Sequence, residues 1–178
     1  MNRSMHTLFF VIGASGSGKT VAVRELERSS RARMFYFDSI GVPPEQQRIE
    51  KWGSGGGWQR AMTIEWVQRI QPQLMQAPAV LDGQTRPSFI AEACDLGGVK
   101  KYRIILITCA DHVRRARLET RGQPELANDQ MMNWARYLIA ETTRLGEPII
   151  SNDDPSVQQT ASALARIIGA DKESRDST

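Results

Sequence analysis

Cysteine and histidine are scarce in the 178 residues, with two of each. Cys94 and Cys109 cannot make a disulfide framework or fill a four-ligand zinc site. Both stand among apolar neighbours, as buried reduced thiols do. His6 and His112 are isolated, with no triad partner and no metal-ligand spacing. Long apolar runs are also missing. None approaches the ~20 residues that span a bilayer, and the stretch 8–12 is too short for the core of a signal peptide. Charge of one sign is not in large excess: 23 Lys and Arg against 20 Asp and Glu leave +3, too little to argue by itself for nucleic acid. These absences point to a protein of a reducing cytoplasm with no membrane partner. With 40% hydrophobic and 24% charged residues, disordered and low-complexity classes are excluded. The length suits one domain with one core, expected over residues 1–170, followed by a polar tail over 171–178.

What is present alternates. Residues 7–12 form an apolar run bounded by glycine, which predicts a strand buried on both faces. Helical spacing follows from Lys19 to about residue 30. Further strands are predicted at 34–37, 79–81, 102–108 and 149–150. Helices are predicted at 58–76, where Pro72 kinks or ends the helix, and at 87–96, 110–120, 124–144 and 155–168, the last with Pro155 in its first turn. Residues 39–57 read as irregular, because Pro43-Pro44 and four glycines within 53–57 do not hold a regular element cheaply. Strands alternating with helices specify an α/β fold of three layers, a parallel sheet between helices. Ligands of such sheets bind at the carboxyl ends of strands.

The end of the first strand carries Gly13-Ala14-Ser15-Gly16-Ser17-Gly18-Lys19-Thr20, a match to G-x-x-x-x-G-K-[ST] between a strand and a helix. Glycines let the backbone curl so that successive N–H groups point at phosphate oxygens, and the helix that starts here adds its positive end. Lys19 is expected to reach the β- and γ-phosphates of a nucleoside triphosphate, and the Thr20 hydroxyl to ligate Mg²⁺.

Asp38 follows the second strand in Phe37-Asp38-Ser39, where it can accept a proton from an acceptor hydroxyl or help to hold Mg²⁺. An Asp that opens a surface turn reads the same way. Asp82 ends the third strand in Leu81-Asp82-Gly83-Gln84, the Walker-B pattern in which the carboxylate orients Mg²⁺ through water. Arg86, four residues on, is a candidate for forking onto an anionic part of a substrate. Arg114, Arg117 and Arg121 fall at i, i+3 and i+7, on one helical face. From Lys100 to Arg121 seven basic residues face two acidic ones, a local balance of +5. Such a stripe reads as a lid of about 110–124 that closes on triphosphate, with Arg117 and Arg121 carrying transferring charge and Arg114 binding nucleotide. It equally describes a solvated face of an Arg-rich chain. Trp58, beside the glycines, is a candidate to stack on a flat acceptor, as is Trp52, whereas Trp66 falls at core spacing.

Together the phosphate loop, Asp38, Leu81-Asp82-Gly83-Gln84 and the Arg114–Arg121 segment resemble the small P-loop kinases: nucleoside monophosphate, shikimate and gluconate kinases, chloramphenicol phosphotransferase and zeta-toxin-like kinases. The resemblance implies a five-stranded sheet of order 2-3-1-4-5. It implies adenine held near the lid helix and residues 151–153, including Asn152, and Asp38 as the base. It also implies ATP and Mg²⁺ as donor and cofactor. The expected activity is transfer of the γ-phosphoryl to a hydroxyl or phosphate of a small molecule or nucleotide. A nucleotide-gated switch that hydrolyses slowly, or a kinase acting on nucleic acid, is the alternative. The guanine motif Asn-Lys-x-Asp is not in the sequence, and no acceptor signature of guanylate or shikimate type is present.

Overall fold

The computed structural model describes residues 5–153 and 156–173, with side chains through residue 169. Five parallel strands, β1 (Leu8–Ile12), β2 (Arg33–Tyr36), β3 (Ala79–Gly83), β4 (Tyr102–Thr108) and β5 (Ile149–Ser151), lie in the order β2-β3-β1-β4-β5. Seven α-helices connect and follow them: α1 (Lys19–Glu27), α2 (Glu45–Trp52), α3 (Gly55–Ile70), α4 (Pro87–Leu96), α5 (Asp111–Thr120), α6 (Asp129–Arg144) and α7 (Val157–Glu173).

Strand β1 is wholly buried because it is the middle of the sheet, and its pleat feeds both faces. Leu8, Phe10 and Ile12 join a core with Leu81, Leu106, Val67 and Ile70 of α3, Ile90 of α4 and Leu138 of α6. Phe9 and Val11 turn the other way, against Val23 and Leu26 of α1 and Leu164 and Ile168 of α7. Each such side chain contributes about 1.5–3 kcal/mol on burial. No helix among the described residues is long and apolar enough to cross a membrane.

Residues 39–57 are mostly helical, contrary to the glycine-based expectation. Gly53 closes α2 with φ 76° and donates its N–H to the Ile49 carbonyl at 2.8 Å. Ser54 caps α3 by accepting the Gly57 N–H at 2.9 Å. A Cβ on Gly57 would collide with the Trp52 carbonyl, so the tight join between helices needs glycine there. Capping and packing outweigh the ~1 kcal/mol that each glycine costs inside a helix. At the other end Pro72 sits in a 3-10 turn, Gln71–Met75, after α3 has finished at Ile70. The predicted helix 124–144 divides into a 3-10 turn, Pro124–Leu126, and α6, whose N-cap Asn128 accepts the Met131 N–H at 2.9 Å. Helix α7 continues through Glu173, into the first part of the expected tail; Pro155 and residues 174–178 lie outside the described residues.

Candidate active site

The register of β1 on β3 places Val11 beside Asp82 and Ile12 beside Gly83, and β2 sets Tyr36 beside Asp82. The carboxyl ends of these three strands therefore bring the glycine loop, Asp82 and the Phe37–Ile40 turn into one place. The loop is built for backbone approach. Gly16 and Gly18 have φ 80° and 84°. A Cβ on Gly16 would come within 3.0 Å of Arg114 Cγ, and one on Gly13 would strike the Ile107 carbonyl. Helix α1 starts at Lys19 with no side-chain cap and no acid in its first turn, so its positive end faces the loop unneutralised. These features fit a polyphosphate.

Asp82 is 4% exposed inside β3 rather than in the turn beyond it. It lies beside Thr20, and its Oδ1 has no hydrogen-bond partner. Burial raises its pKa above the ordinary carboxylate range, and the Lys19 ammonium only partly offsets this. An orphaned oxygen beside a threonine hydroxyl fits a hard divalent cation. Among the described residues no cluster of three or more His, Cys, Asp or Glu could hold a metal, so water and phosphate would have to complete its shell. Burial lowers the Lys19 pKa, opposed by Asp82 and then by Asp38, while Arg121 and Arg114 push it further down.

A raised folded pKa means that the ionised Asp82 costs stability once the pH exceeds that pKa, and the cost vanishes below the unfolded value near ~3.9. Asp82→Asn is therefore expected to raise the melting temperature at neutral pH while weakening cation-dependent nucleotide binding. The thermal gain should shrink as the pH falls towards ~4. A lower melting temperature at pH 7 would contradict the assignment.

Asp38 lies exposed in the 3-10 turn and faces Lys19 in a cavity of about 720 Å³. Gln84, Arg86, Arg48, Trp134 and Tyr137 also line it, with Trp58 as its buried floor. A second cavity of about 380 Å³ holds the glycine loop, Thr20 and Asp38, and is covered by Arg121, Gln123 and Leu126. A third, about 340 Å³, is lined by Gly18, Val21, Arg117, Arg121, Asn152 and Val157.

The expected arginine stripe does not act as one face. Arg114 is completely buried, not exposed to nucleotide. It donates to the Ser15 and Cys109 carbonyls at 3.1 Å each, to Thr108 Oγ1 at 3.4 Å and to the Ala14 carbonyl at 3.5 Å. Pulling two loop carbonyls outward leaves the loop's N–H groups to point inward. Arg114 is thus a support beneath the loop, which corrects its expected role as a nucleotide contact. With Leu118 it packs α5 against the loop at Gly16. Arg114→Leu strands buried acceptors and is expected to cost about 1–3 kcal/mol, read as a lower urea midpoint at constant m. Arg117 Nη1 comes within 3.8 Å of the position of a Gly18 Cβ, and Arg121 is exposed at the cavity edge.

Asn152 is buried as well. Its Nδ2 donates to the Ser17 carbonyl at 2.8 Å and its Oδ1 accepts from Thr160, so it ties β5 to the loop while lining the third cavity. Trp58 is 6% exposed and packs edge-on to Phe37 with centroids 5.8 Å apart, so it is a floor and not an exposed stacking platform. Arg86 lines the large cavity. Sequence reading missed Arg48, hidden in the segment taken as irregular, and Trp134 and Tyr137. The i, i+3 spacing of those two aromatics on α6 was the available signal, and it resembles ordinary core spacing.

No family model matches the chain, and no curated protein matches it. Solved structures do. A shikimate kinase from Acinetobacter baumannii in complex with shikimate superposes with a TM-score of 0.63 at 14% identity, over 96% of each chain. The fold is that of the small P-loop kinases. A gluconokinase from Sinorhizobium meliloti 1021 shares this kinase fold at TM-score 0.59 and 17% identity, over 94% of this chain and 97% of its own. A deoxyadenosine kinase from M. mycoides does so at 0.55 and 13%, over 92% and 99%.

Proposed function

We propose that the protein is an ATP-dependent phosphotransferase that moves the γ-phosphoryl group to a hydroxyl or phosphate of a small molecule. The observation that carries this reading is the large cavity beyond the glycine loop, with Asp38 and Lys19 facing each other in it. A protein that only hydrolyses nucleotide needs no second chamber. The kinase fold of the neighbours supports the same conclusion.

In this reading the loop N–H groups and the start of α1 hold the phosphates. Thr20 and Asp82 would hold Mg²⁺, which when bound neutralises phosphate charge. Arg117, Val157 and Asn152 line the cavity suited to the nucleotide base. The acceptor lies in the large cavity, where Asp38 orients its hydroxyl and takes its proton as the new bond forms. Lys19 and Arg121 stand where negative charge spreads over the transferring group.

The test is ADP release from labelled ATP and Mg²⁺ across nucleosides, sugars, antibiotics and DNA ends. Release that depends on one acceptor class, with the label in the acceptor, supports the proposal. Failure of ATP and Mg²⁺ to raise the melting temperature would overturn it, because a ligand that binds only the native state must stabilise it.

A further inference from the structure

Asp38 lies exposed on its turn, so burial does not place its carboxylate. The backbone beneath does, and that backbone is held by a side chain from another element. Strand β2 is an edge of the sheet, and its ladder with β3 ends at Tyr36. The Phe37 carbonyl, one residue past the ladder and directly before Asp38, accepts a hydrogen bond from Trp66 Nε1–H at 3.1 Å. Trp66 belongs to α3 and is 6% exposed, and its ring meets Phe35 of β2 edge-on with centroids 6.0 Å apart. Gly83 lets Phe37 come close, since a Cβ there would lie 2.8 Å from Phe37 Cβ.

Helix α3 is itself tied to the chain that follows Asp82. Gln59 Nε2 donates to the Gln84 carbonyl at 2.6 Å. The buried hydroxyls of Thr63 and Thr85 meet at 2.7 Å. Thr63 gives its own proton to the Gln59 carbonyl, so Thr85 is the donor in that pair. Arg60 pairs with Glu92 of α4. Gln59, Thr63 and Trp66 fall at i, i+4 and i+7, on one side of the helix. The first two hold the exit of β3, and the third reaches the turn after β2. One helix thus relates the turn that carries Asp38 to the strand that carries Asp82.

We propose that Trp66 is a positioning residue: its indole N–H holds the Phe37 carbonyl and thereby sets the Asp38 carboxylate where it meets the acceptor hydroxyl. This rests on the phosphotransferase reading, with Asp38 as base, and goes beyond it. Trp66 lines none of the three cavities described above, so its effect on rate passes through Asp38.

The experiment compares Trp66→Phe, Trp66→His, Asp38→Asn and the double variant Trp66→Phe with Asp38→Asn against the unaltered full chain. Phenylalanine keeps a six-membered ring in the core and deletes the donor. Histidine fills less of the core but carries an N–H at the equivalent ring position, and at a pH of about 8 it is neutral. The rate is ADP release from ATP and Mg²⁺ with whichever nucleoside, sugar or antibiotic the unaltered chain turns over fastest. ATP affinity is read by thermal-shift titration. Trp66→Phe is expected to lower kcat by about 10–100-fold, the cost of a small misplacement of a reacting group, and to leave ATP affinity where it was. It should lower the melting temperature by only about 2–4 °C, as loss of one buried hydrogen bond does. Trp66→His should be less stable than Trp66→Phe and yet faster, an order that packing alone does not produce. In the Asp38→Asn background Trp66→Phe should change kcat little, because the group it positions is gone, whereas independent effects would add.

Full kcat in Trp66→Phe, a folded Trp66→His no faster than Trp66→Phe, or a loss as large in the Asp38→Asn background would each overturn the proposal. If Trp66→His does not fold, the double variant decides. Full kcat in Asp38→Asn alone would show that Asp38 is not the base, and no turnover of any acceptor by the unaltered chain would end the phosphotransferase reading. Either result takes the proposal with it, and neither depends on Trp66.

Discussion

Replacing Lys19 by methionine is expected to silence phosphoryl transfer and leave the protein at least as stable as before. The two halves have one cause. Lys19 stands at the junction of the glycine loop and the large cavity. There its ammonium can meet the transferring group, and loss of one such electrostatic contact costs at least ~10²–10³-fold in rate. Yet burial lowers its pKa, so the charged form is disfavoured in the folded chain despite Asp82 and Asp38. A lysine with a depressed folded pKa makes stability rise with pH, because the folded state binds fewer protons than the unfolded one. Removing the charge relieves that cost, as it does for Asp82. Transfer within tenfold of the unaltered protein would remove Lys19 from the mechanism, and a large drop in melting temperature would contradict the electrostatic account.

Asp38→Asn should lower kcat by ~10²–10⁴-fold, the usual worth of a general base, with little change in ATP affinity. The separation follows from position. Asp38 is exposed on the 3-10 turn and lines the large cavity as well as the smaller one beside Thr20, whereas the buried oxygen without a partner is Asp82 Oδ1. Asparagine keeps the shape and can still accept a hydrogen bond, but it cannot hold the proton. The measurement is kcat against the ATP dissociation constant, with acceptor saturating. A fall in ATP affinity at unchanged kcat would make Asp38 a cation-site residue.

The path of the glycine loop was legible because its information is local: eight consecutive residues specify it. The strand ends were legible for a related reason, since an apolar run ending in Asp marks where a buried strand meets the site. The strand order followed from the family resemblance, and the register confirms it. The arginines were read less well. Spacing at i, i+3 and i+7 says only that side chains share a side of the helix. It does not say whether that side meets solvent or the underside of a loop about a hundred residues earlier. Arg114 met the loop. The glycines at 53–57 misled for the opposite reason, because the clash that makes Gly57 necessary and the cap that Ser54 provides exist only once α2 and α3 have packed.

Arg114 has a consequence for how the site behaves in salt. Dissolved ions screen exposed charges over ~8 Å at physiological strength, but they cannot enter the space between the loop and α5. The field of this enclosed cation nevertheless reaches the Lys19 ammonium, whose pKa it helps to lower. Attraction for the polyphosphate proposed above therefore has two parts. Exposed Arg121 supplies one that fades as ionic strength rises. Arg114 and the N-terminal end of α1 supply another that persists. Nucleotide affinity plotted against salt should then level off at a floor instead of falling without limit.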